Sequence, residues 1–286
     1  VSDGENLGLG LVTDQGLNLS GDELQAITAQ NLNLGSNLSG NIVVDGVTST
    51  NSSNITDLVY LDATKDDASV TFRSIASAFR SLLVEADNGI TVNSNLETNV
   101  GDLSLNGDKD NLDVADSSDE IVFNNGITIS AAGDLNLDAE KGNLSSSGTL
   151  TLEADQDINL NDALTISNNL VFSADDDSSG AGDINISGDI LSNNHDITMS
   201  SANIDLVNTV NAGTQDIYLN TTDGRSIALG GVTGDYEISE AEMLLLTAND
   251  LYIGDSSSGD ITVSGMLETN STKISGFVNL EATKDN

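Results

Sequence analysis

The chain has 286 residues, no Cys, Pro or Trp, and 46 acidic against 8 basic residues, which gives a formal net charge of −38 at pH 7. Nucleic acid phosphates and anionic membranes repel such a charge, so the composition argues against nucleic acid as a partner and against direct membrane insertion. The absence of Cys excludes disulfides and thiolate metal sites.

One stretch, residues 70–84, is compatible with two structures. Apolar side chains recur there at helical spacing, at positions 72, 75, 79, 82 and 83. In the alternative, Val70 with Phe72 and Leu82 with Val84 are the inward pairs of two strands. Both flanks are β-like, which favours two strands joined by a turn or corner over a helix.

Short apolar–polar–apolar units follow along the chain, each with the period of a half-buried strand. Gly, Asp, Asn or Ser, the residues typical of turns, come directly after them. The clearest units begin at Ile127, Leu135, Leu150, Ile158, Ile184, Ile197 and Ile261.

Strands this short do not form a stable sheet by themselves. They do when each stacks on a strand one coil away, and coils of about 20–30 residues allow this. The absence of Pro fits, because Pro removes a donor from a backbone ladder. The sequence therefore predicts an all-β fold, an elongated, right-handed parallel β-helix (β-solenoid) that runs through residues 1–286 as a single domain.

A longer repeat lies on top of the short one. Residues 19–67 align without gaps with residues 238–286 at an offset of 219, and 21 of the 49 positions are identical. Tandem copies of such a unit form an extended array, because each solenoid unit buries its open end on a neighbour. We expect the chain to be one stretch of a longer repetitive protein.

The stretches that begin at Leu19 and Ile238 resemble the repeats of filamentous-haemagglutinin-like large bacterial surface adhesins. The runs from Leu83 (Leu-Val-Glu-Ala-Asp-Asn-Gly-Ile-Thr-Val) and Leu150 (Leu-Thr-Leu-Glu-Ala-Asp-Gln-Asp-Ile-Asn-Leu) are similar to them as well. The resemblance implies a right-handed β-helix that is secreted to the bacterial cell surface. It carries over no functional residues, because these repeats share none.

The strand pattern and the long repeat, together with what the resemblance implies, predict a non-enzymatic structural segment of an extracellular or cell-surface fibre or adhesin, which mediates attachment or contact between cells and surfaces. One alternative is a carbohydrate-active β-helix enzyme, a polysaccharide lyase or hydrolase. It would need cationic side chains beside paired carboxylates, and no cationic cluster accompanies the acids around Arg73, Arg80 or Arg225. The other alternative is a calcium-dependent repeat domain.

Two aspartate clusters supply the hard oxygen ligands that calcium prefers. The first cluster, residues 108–120, fails the EF-hand pattern, because Leu112 is at the fifth position and Asp113 is at the position where Gly is required. The second cluster, residues 175–177, is predicted to be a solvated acidic turn between two strands. No cofactor is required by these patterns, and calcium is the one ion considered. Its candidate ligands are Asp108, Asp110, Asp113, Asp175, Asp176 and Asp177.

We expect the partners to be adjoining repeats or copies of the same chain, stacked end to end. An exposed strand edge invites pairing, so coil ends are covered by neighbours or caps. Surface carbohydrate and other cells are the further partners that an adhesin implies.

Overall fold

A computed structural model of the chain describes residues 4–109 and 118–283, and these form two compact units, Val1–Ser146 and Ser147–Asn286. Regular structure is almost all β-strand, and the strands pair in parallel. The prediction of a parallel β-helix is confirmed. The strands of the first unit are β1 (Leu7–Gly10), β2 (Leu17–Ser20), β3 (Leu32–Gly35), β4 (Ile42–Asp45), β5 (Val59–Ala63), β6 (Val70–Phe72), β7 (Ser77–Phe79), β8 (Leu82–Ala86), β9 (Ile90–Val92), β10 (Leu96–Thr98), β11 (Leu103–Asn106), β12 (Ile121–Phe123), β13 (Ile127–Ala131), β14 (Leu135–Asp138) and β15 (Leu144–Ser146).

The first unit has three parallel faces. Its strands are ordered β2-β1-β4-β6-β9-β12-β15 on one face, β3-β5-β8-β11-β14 on the second and β7-β10-β13 on the third. From β6 onward the chain visits the faces in the same order in each coil, so each strand pairs with the strand three elements later.

The second unit repeats this arrangement. Its strands are β16 (Leu150–Ala154), β17 (Ile158–Leu160), β18 (Leu164–Ile166), β19 (Leu170–Ala174), β20 (Asp183–Ile186), β21 (Ile190–Leu191), β22 (Ile197–Ser201), β23 (Asn203–Leu206), β24 (Val210–Asn211), β25 (Ile217–Thr221), β26 (Ile227–Gly230), β27 (Tyr236–Ile238), β28 (Leu246–Thr247), β29 (Leu251–Ile253), β30 (Ile261–Ser264) and β31 (Val278–Leu280). They are ordered β18-β21-β24-β28, β17-β20-β23 and β16-β19-β22-β25-β29-β31, with a further sheet β27-β26-β30.

Alternating burial builds the core. In β16, β19 and β22 every second side chain is buried, so Leu152, Phe172 and Met199, which are register partners, form one inward column. Four of the five Phe side chains are fully buried in such columns. Burying an apolar side chain of this size stabilises the fold by about 1.5–3 kcal/mol, so the stacked columns replace the central core of a globular domain.

Residues 70–84 are β-structure, as favoured, with one difference. The prediction placed a turn or corner between two strands, whereas the structure has a third strand there, β7. The N–H of Ala78 donates to the carbonyl of Val47 (2.7 Å), and Phe79 is buried. The helical spacing arose because three short strands with tight corners place apolar residues three or four positions apart.

Two short α-helices, α1 (Gly21–Ala26) and α2 (Glu240–Met243), and one 3-10 helix, Glu268–Ser271, were not predicted.

The two α-helices occupy equivalent positions in the long repeat. Both begin with a capping box, in which the N-cap serine and the third helical residue cap each other's backbone N–H. In α1 the Ser20 N–H donates to Glu23 (3.0 Å), and in α2 the Ser239 N–H donates to Glu242 (2.8 Å). The Ser-x-x-Glu spacing in both copies was the available sequence signal.

The long sequence repeat is also a structural repeat. Strand β1, which precedes the first copy, pairs with β2 and β4, and β26, which precedes the second, pairs with β27 and β30. Likewise β3 pairs with β5, and β29 with β31. Gly35 and Gly254 are equivalent, both have positive φ (98° and 77°), and a Cβ on either would lie within 2.3 Å of a backbone carbonyl oxygen. Residues 19–67 and 238–283 therefore form the same module, named here the repeat module.

The inward and outward positions of β19 provide a stability test. Phe172→Ala leaves a cavity in a closed column and is expected to lower the free energy of unfolding by about 3–5 kcal/mol. Val171→Ala, on the half-exposed outer face of the same strand, is expected to cost less than about 1 kcal/mol. Urea unfolding followed by circular dichroism measures both. Equal losses would contradict the assignment of faces.

Candidate functional site

The residue directly before a strand, or the first residue of the strand, is repeatedly Asp or Asn, and its side chain binds the backbone of the next coil. In the second unit the Asp196 carboxylate accepts the N–H of Asp216 (3.1 Å), and Asp216 accepts the N–H of Asp250 (3.0 Å). Asp250 in turn accepts the N–H of Phe277 (3.0 Å), and Asn169 accepts the N–H of Asp196 (3.3 Å). We name Asn169, Asp196, Asp216 and Asp250 the first acidic ladder.

The ladder complements the strand pairing. The carbonyl of Asp216 accepts the N–H of Ile197 (3.1 Å), which belongs to the previous coil. The N–H of Asp216 points to that same previous coil, where the Asp196 carboxylate accepts it. Inside a sheet, the acceptor at this position would be a backbone carbonyl. Because a buried N–H without an acceptor costs about 1–3 kcal/mol, the ladder extends backbone pairing by one residue beyond each strand.

The other faces have ladders of the same kind. On the face of β17, β20 and β23, Asp157 accepts the N–H of Asp183 (2.9 Å), and Asn203 accepts the N–H of Glu237 (2.9 Å). We name Asp157, Asp183 and Asn203 the second acidic ladder. In the first unit Asp102 accepts the N–H of Asp134 (3.0 Å). Many acids of this chain are therefore part of the coil stacking.

These ladders were not predicted from the sequence. The turn residues considered there follow each strand, whereas the ladder residue comes directly before the apolar–polar–apolar unit. The signal was present as an Asp or Asn directly before an apolar–polar–apolar unit, in the dipeptides that begin at Asp157, Asp183, Asp196, Asp216 and Asp250.

A polar groove of about 410 Å³ runs beside the second acidic ladder. Asp157, Asp183, Arg225 and Asp235 line it. Arg225 donates through Nη2 to the carbonyl of Gly180, and the pKa of Asp235 is lowered, chiefly by its hydrogen bond from the Ser226 side chain. The polar groups of the groove are thus engaged mainly with the chain that forms it.

Asp183 has an unusual acidity within this groove. Its burial, and next the charge of Asp157, raise its pKa, while Arg225 acts in the opposite direction. A carboxyl group with a raised pKa can serve as a general acid. In this fold the same property also follows from stacking like charges in a ladder.

The candidate calcium ligands lie in separate environments. Asp175 is buried, contrary to the predicted solvated turn, and accepts the N–H of Gly180 (2.8 Å). Burial raises its pKa, but hydrogen bonds from Thr222, Gly180 and Ala181 outweigh this, and the pKa is lowered overall. A positive φ of 59° turns the Asp175 carboxylate into the loop that follows it.

The neighbouring aspartates are exposed and hydrogen-bonded within the same loop. Asp176 accepts from the Ser173 hydroxyl (3.0 Å), and Asp177 accepts from the N–H of Ser179 (3.0 Å).

In the first cluster, Asp108 is buried and accepts the N–H of Lys141 (2.8 Å). Asp110 and Asp113 lie outside the described residues. Within residues 4–109 and 118–283, no group of three or more His, Asp or Glu side chains is arranged to hold a metal ion.

An apolar surface lies at the end of the second unit, on strands β30 and β31. Val263, Met266, Leu267, Val278 and Leu280 surround a cavity of about 180 Å³, and we name these five residues the terminal apolar face. Within the residues that the structure describes, β30 pairs only with β26 and β31 only with β29, so both are edge strands there.

An outer aromatic column ends beside this face. The rings of Tyr218 and Tyr252, which are register partners, stack with centroids 4.8 Å apart, and Phe277 contacts Tyr252 edge-on at 5.7 Å. Phe277 is 52% exposed, whereas the other four Phe side chains are fully buried. The column therefore ends on an apolar ring that faces solvent.

No protein family model, curated protein or solved structure matches this chain. In the part of the chain that the structure describes, no helix combines the length and the apolar character needed to cross a membrane. The geometry of the chain itself is therefore the basis for assigning a function.

Two substitutions in the first acidic ladder separate the effect of losing a hydrogen-bond acceptor from the effect of losing a charge. Asp216→Ala removes the acceptor of the Asp250 N–H and is expected to lower the free energy of unfolding by about 1–3 kcal/mol. Asp216→Asn keeps an oxygen acceptor and removes one of several like charges, so it is expected to stay within about 0.5 kcal/mol of the parent at low salt. Urea unfolding measures both. An Asn variant as unstable as the Ala variant would show that the ladder depends on charge.

The second acidic ladder predicts a pH dependence. Because the folded-state pKa of Asp183 is raised, ionisation of Asp183 opposes folding at neutral pH. Asp183→Asn is therefore expected to raise the free energy of unfolding at pH 7. This gain is expected to fade as the pH falls from above the raised folded-state pKa to below the unfolded value of about 3.9, because the parent carboxyl then keeps its proton in both states.

Asp189→Asn is the matched control with the opposite sign. Hydrogen bonds from the side chain and backbone of Thr209 lower the pKa of Asp189. The ionised carboxylate therefore stabilises the fold above the unfolded pKa, and this contribution is lost as the pH falls through the lowered folded value. Unfolding measured from pH 7 downward compares the two, and effects of the same sign at pH 7 would contradict the assignment.

Proposed function

We propose that this chain is a non-enzymatic structural segment of an extracellular or cell-surface fibre or adhesin built from tandem β-helical repeats, in which it supports attachment or contact between cells and surfaces. The observation that carries the proposal is the repeat module, which recurs with the same strand pairing, capping box and glycine turn. A module that recurs along one chain is the unit of a solenoid array.

The distribution of side chains supports a structural role. Apolar residues enter the core columns, and the acids that precede strands accept backbone N–H groups from the next coil. Each coil is thus joined to the next by a strand ladder and by a side-chain ladder. A pull along the stack loads many such bonds together, which suits a mechanical segment.

The resemblance of the stretches at Leu19 and Ile238 to filamentous-haemagglutinin-like repeats supports the adhesin part of the proposal. It is also the basis for proposing secretion to a bacterial cell surface. The net charge of −38 keeps such a segment hydrated and opposes side-to-side clumping.

Single-molecule force spectroscopy on the chain, tethered at its two ends, tests the structural role. Register partners are 20 residues apart between Leu150 and Leu170 and 36 apart between Val210 and Leu246, where α2 is inserted. We expect unfolding in steps of one or a few coils, each coil releasing about 70–120 Å of extended chain. Extension without resolvable resistance would contradict a mechanical role.

The enzyme alternative is tested on the same preparation. Incubation with acidic and neutral polysaccharides is expected to release no new reducing ends or unsaturated products. Turnover that disappears in Asp183→Asn but persists in Asp189→Asn would overturn the proposal in favour of a carbohydrate-active enzyme in the polar groove.

A further inference from the structure

The terminal apolar face has a buried counterpart within the same chain. At the offset of 219, Val263, Val278 and Leu280 correspond to residues of β4 and β5 in the first copy of the repeat module. Val263 is 49% exposed, Val278 37% and Leu280 42%, whereas their counterparts Val44, Val59 and Leu61 are each 0% exposed. The two copies thus differ in whether this face is covered.

The first copy shows what covers it. Strand β6 lies on β4, with Val44 paired to Phe72, and β8 lies on β5, with Val59 paired to Leu82 and Leu61 to Val84. In β7, which lies between β6 and β8 in the chain, the Ser77 hydroxyl accepts the N–H of Val47 (3.3 Å). Val47 is the counterpart of Met266. The cover is therefore one coil, formed by β6, β7 and β8.

Backbone hydrogen bonds also differ between the covered first copy and the uncovered second copy. In the first copy the N–H of Ile42 donates to the carbonyl of Ser69 (2.9 Å), and the N–H of Val59 donates to the carbonyl of Ser81 (3.1 Å). Their counterparts Ile261 and Val278 begin the edge strands β30 and β31. The terminal face thus offers an apolar surface and two strand edges in the arrangement that accepts a parallel coil.

We infer that the terminal apolar face binds a β-helical segment of the type formed by residues 68–106, whose first coil places a Val-x-Phe strand on β30 and a Leu-x-Val strand on β31. This inference rests on the proposed repeat function and names the partner of its open face. The same cover is already present in the first unit, where it buries the equivalent side chains completely.

A second copy of the chain stacked end to end does not fit equally well. Its leading strands, β2 and β3, correspond to β27 and β29 in the second unit, so they belong to the repeat module itself. Stacking them on β30 and β31 would place one module directly on another. In the first unit the outer strands of the module are instead covered by β6 and β8, whose sequences differ from those of β2 and β3.

The test extends the full chain. A copy of residues 68–106 is joined directly after Asn286, which preserves the spacing of the first copy. Hydrogen–deuterium exchange is followed in peptides that cover β30 and β31, with β19 and β22 as internal references for the folded chain. We expect exchange in β30 and β31 to slow by about tenfold or more and the references to stay unchanged.

Two controls have the same length. In one, the joined copy carries Ser in place of Val70, Phe72, Leu82 and Val84, and in the other residues 19–57 are joined instead. Neither is expected to slow exchange in β30 or β31. In the chain that carries residues 68–106, Leu280→Asp is expected to abolish the protection.

Several outcomes would overturn the inference. These are unchanged exchange with residues 68–106, equal slowing with either control, or slowing in the unextended chain that rises with protein concentration, which would identify a second copy as the occupant. None of these depends on the force measurement or on polysaccharide turnover. A failure of this inference is therefore distinguishable from a failure of the proposed function.

Discussion

Every element of this protein depends on the pairing of one coil with the next. Its strands are two to five residues long, which is too short for a stable sheet without stacked partners. The N–H and carbonyl groups of each strand are satisfied by neighbouring coils, and the inward side chains form columns because register partners share a face. A coil without a neighbour therefore has both an unpaired edge and an uncovered apolar surface.

The acidic ladders extend the same constraint to the residues between strands. A carboxylate such as that of Asp216 accepts a backbone N–H in the next coil, where no strand carbonyl is in position. This use of acids places like charges one above another, and the pKa of Asp183 is raised first by its burial and next by the charge of Asp157. The chain tolerates the repulsion because the ladder residues are half-exposed, where water and salt screen them. High net charge and regular stacking are thus compatible.

The duplication of the repeat module connects this physics with the proposed function. One copy has a following coil and is closed, and the other ends on Val263, Val278 and Leu280, which are exposed. The two copies share their strand pairing and 21 of 49 aligned residues, and they differ in whether a coil covers them. The burial of Val44, Val59 and Leu61 therefore follows from the coil of β6, β7 and β8.

The sequence by itself determined the β-helical fold class, the inward faces of its clearest strands and the repeat. A period of two specifies which side chains of Leu150 and its neighbours point inward, and the offset of 219 specifies two copies of one module. Only the tertiary structure decided that residues 77–79 form a strand, that Asp175 is buried, and that Asp196, Asp216 and Asp250 form one ladder. The physical reason is the variable spacing of the strands that pair. Alternation shows which side chains face the core, whereas the turns decide which residue of another strand lies above each one, with register partners from 9 (Ile227 and Tyr236) to 36 (Val210 and Leu246) residues apart.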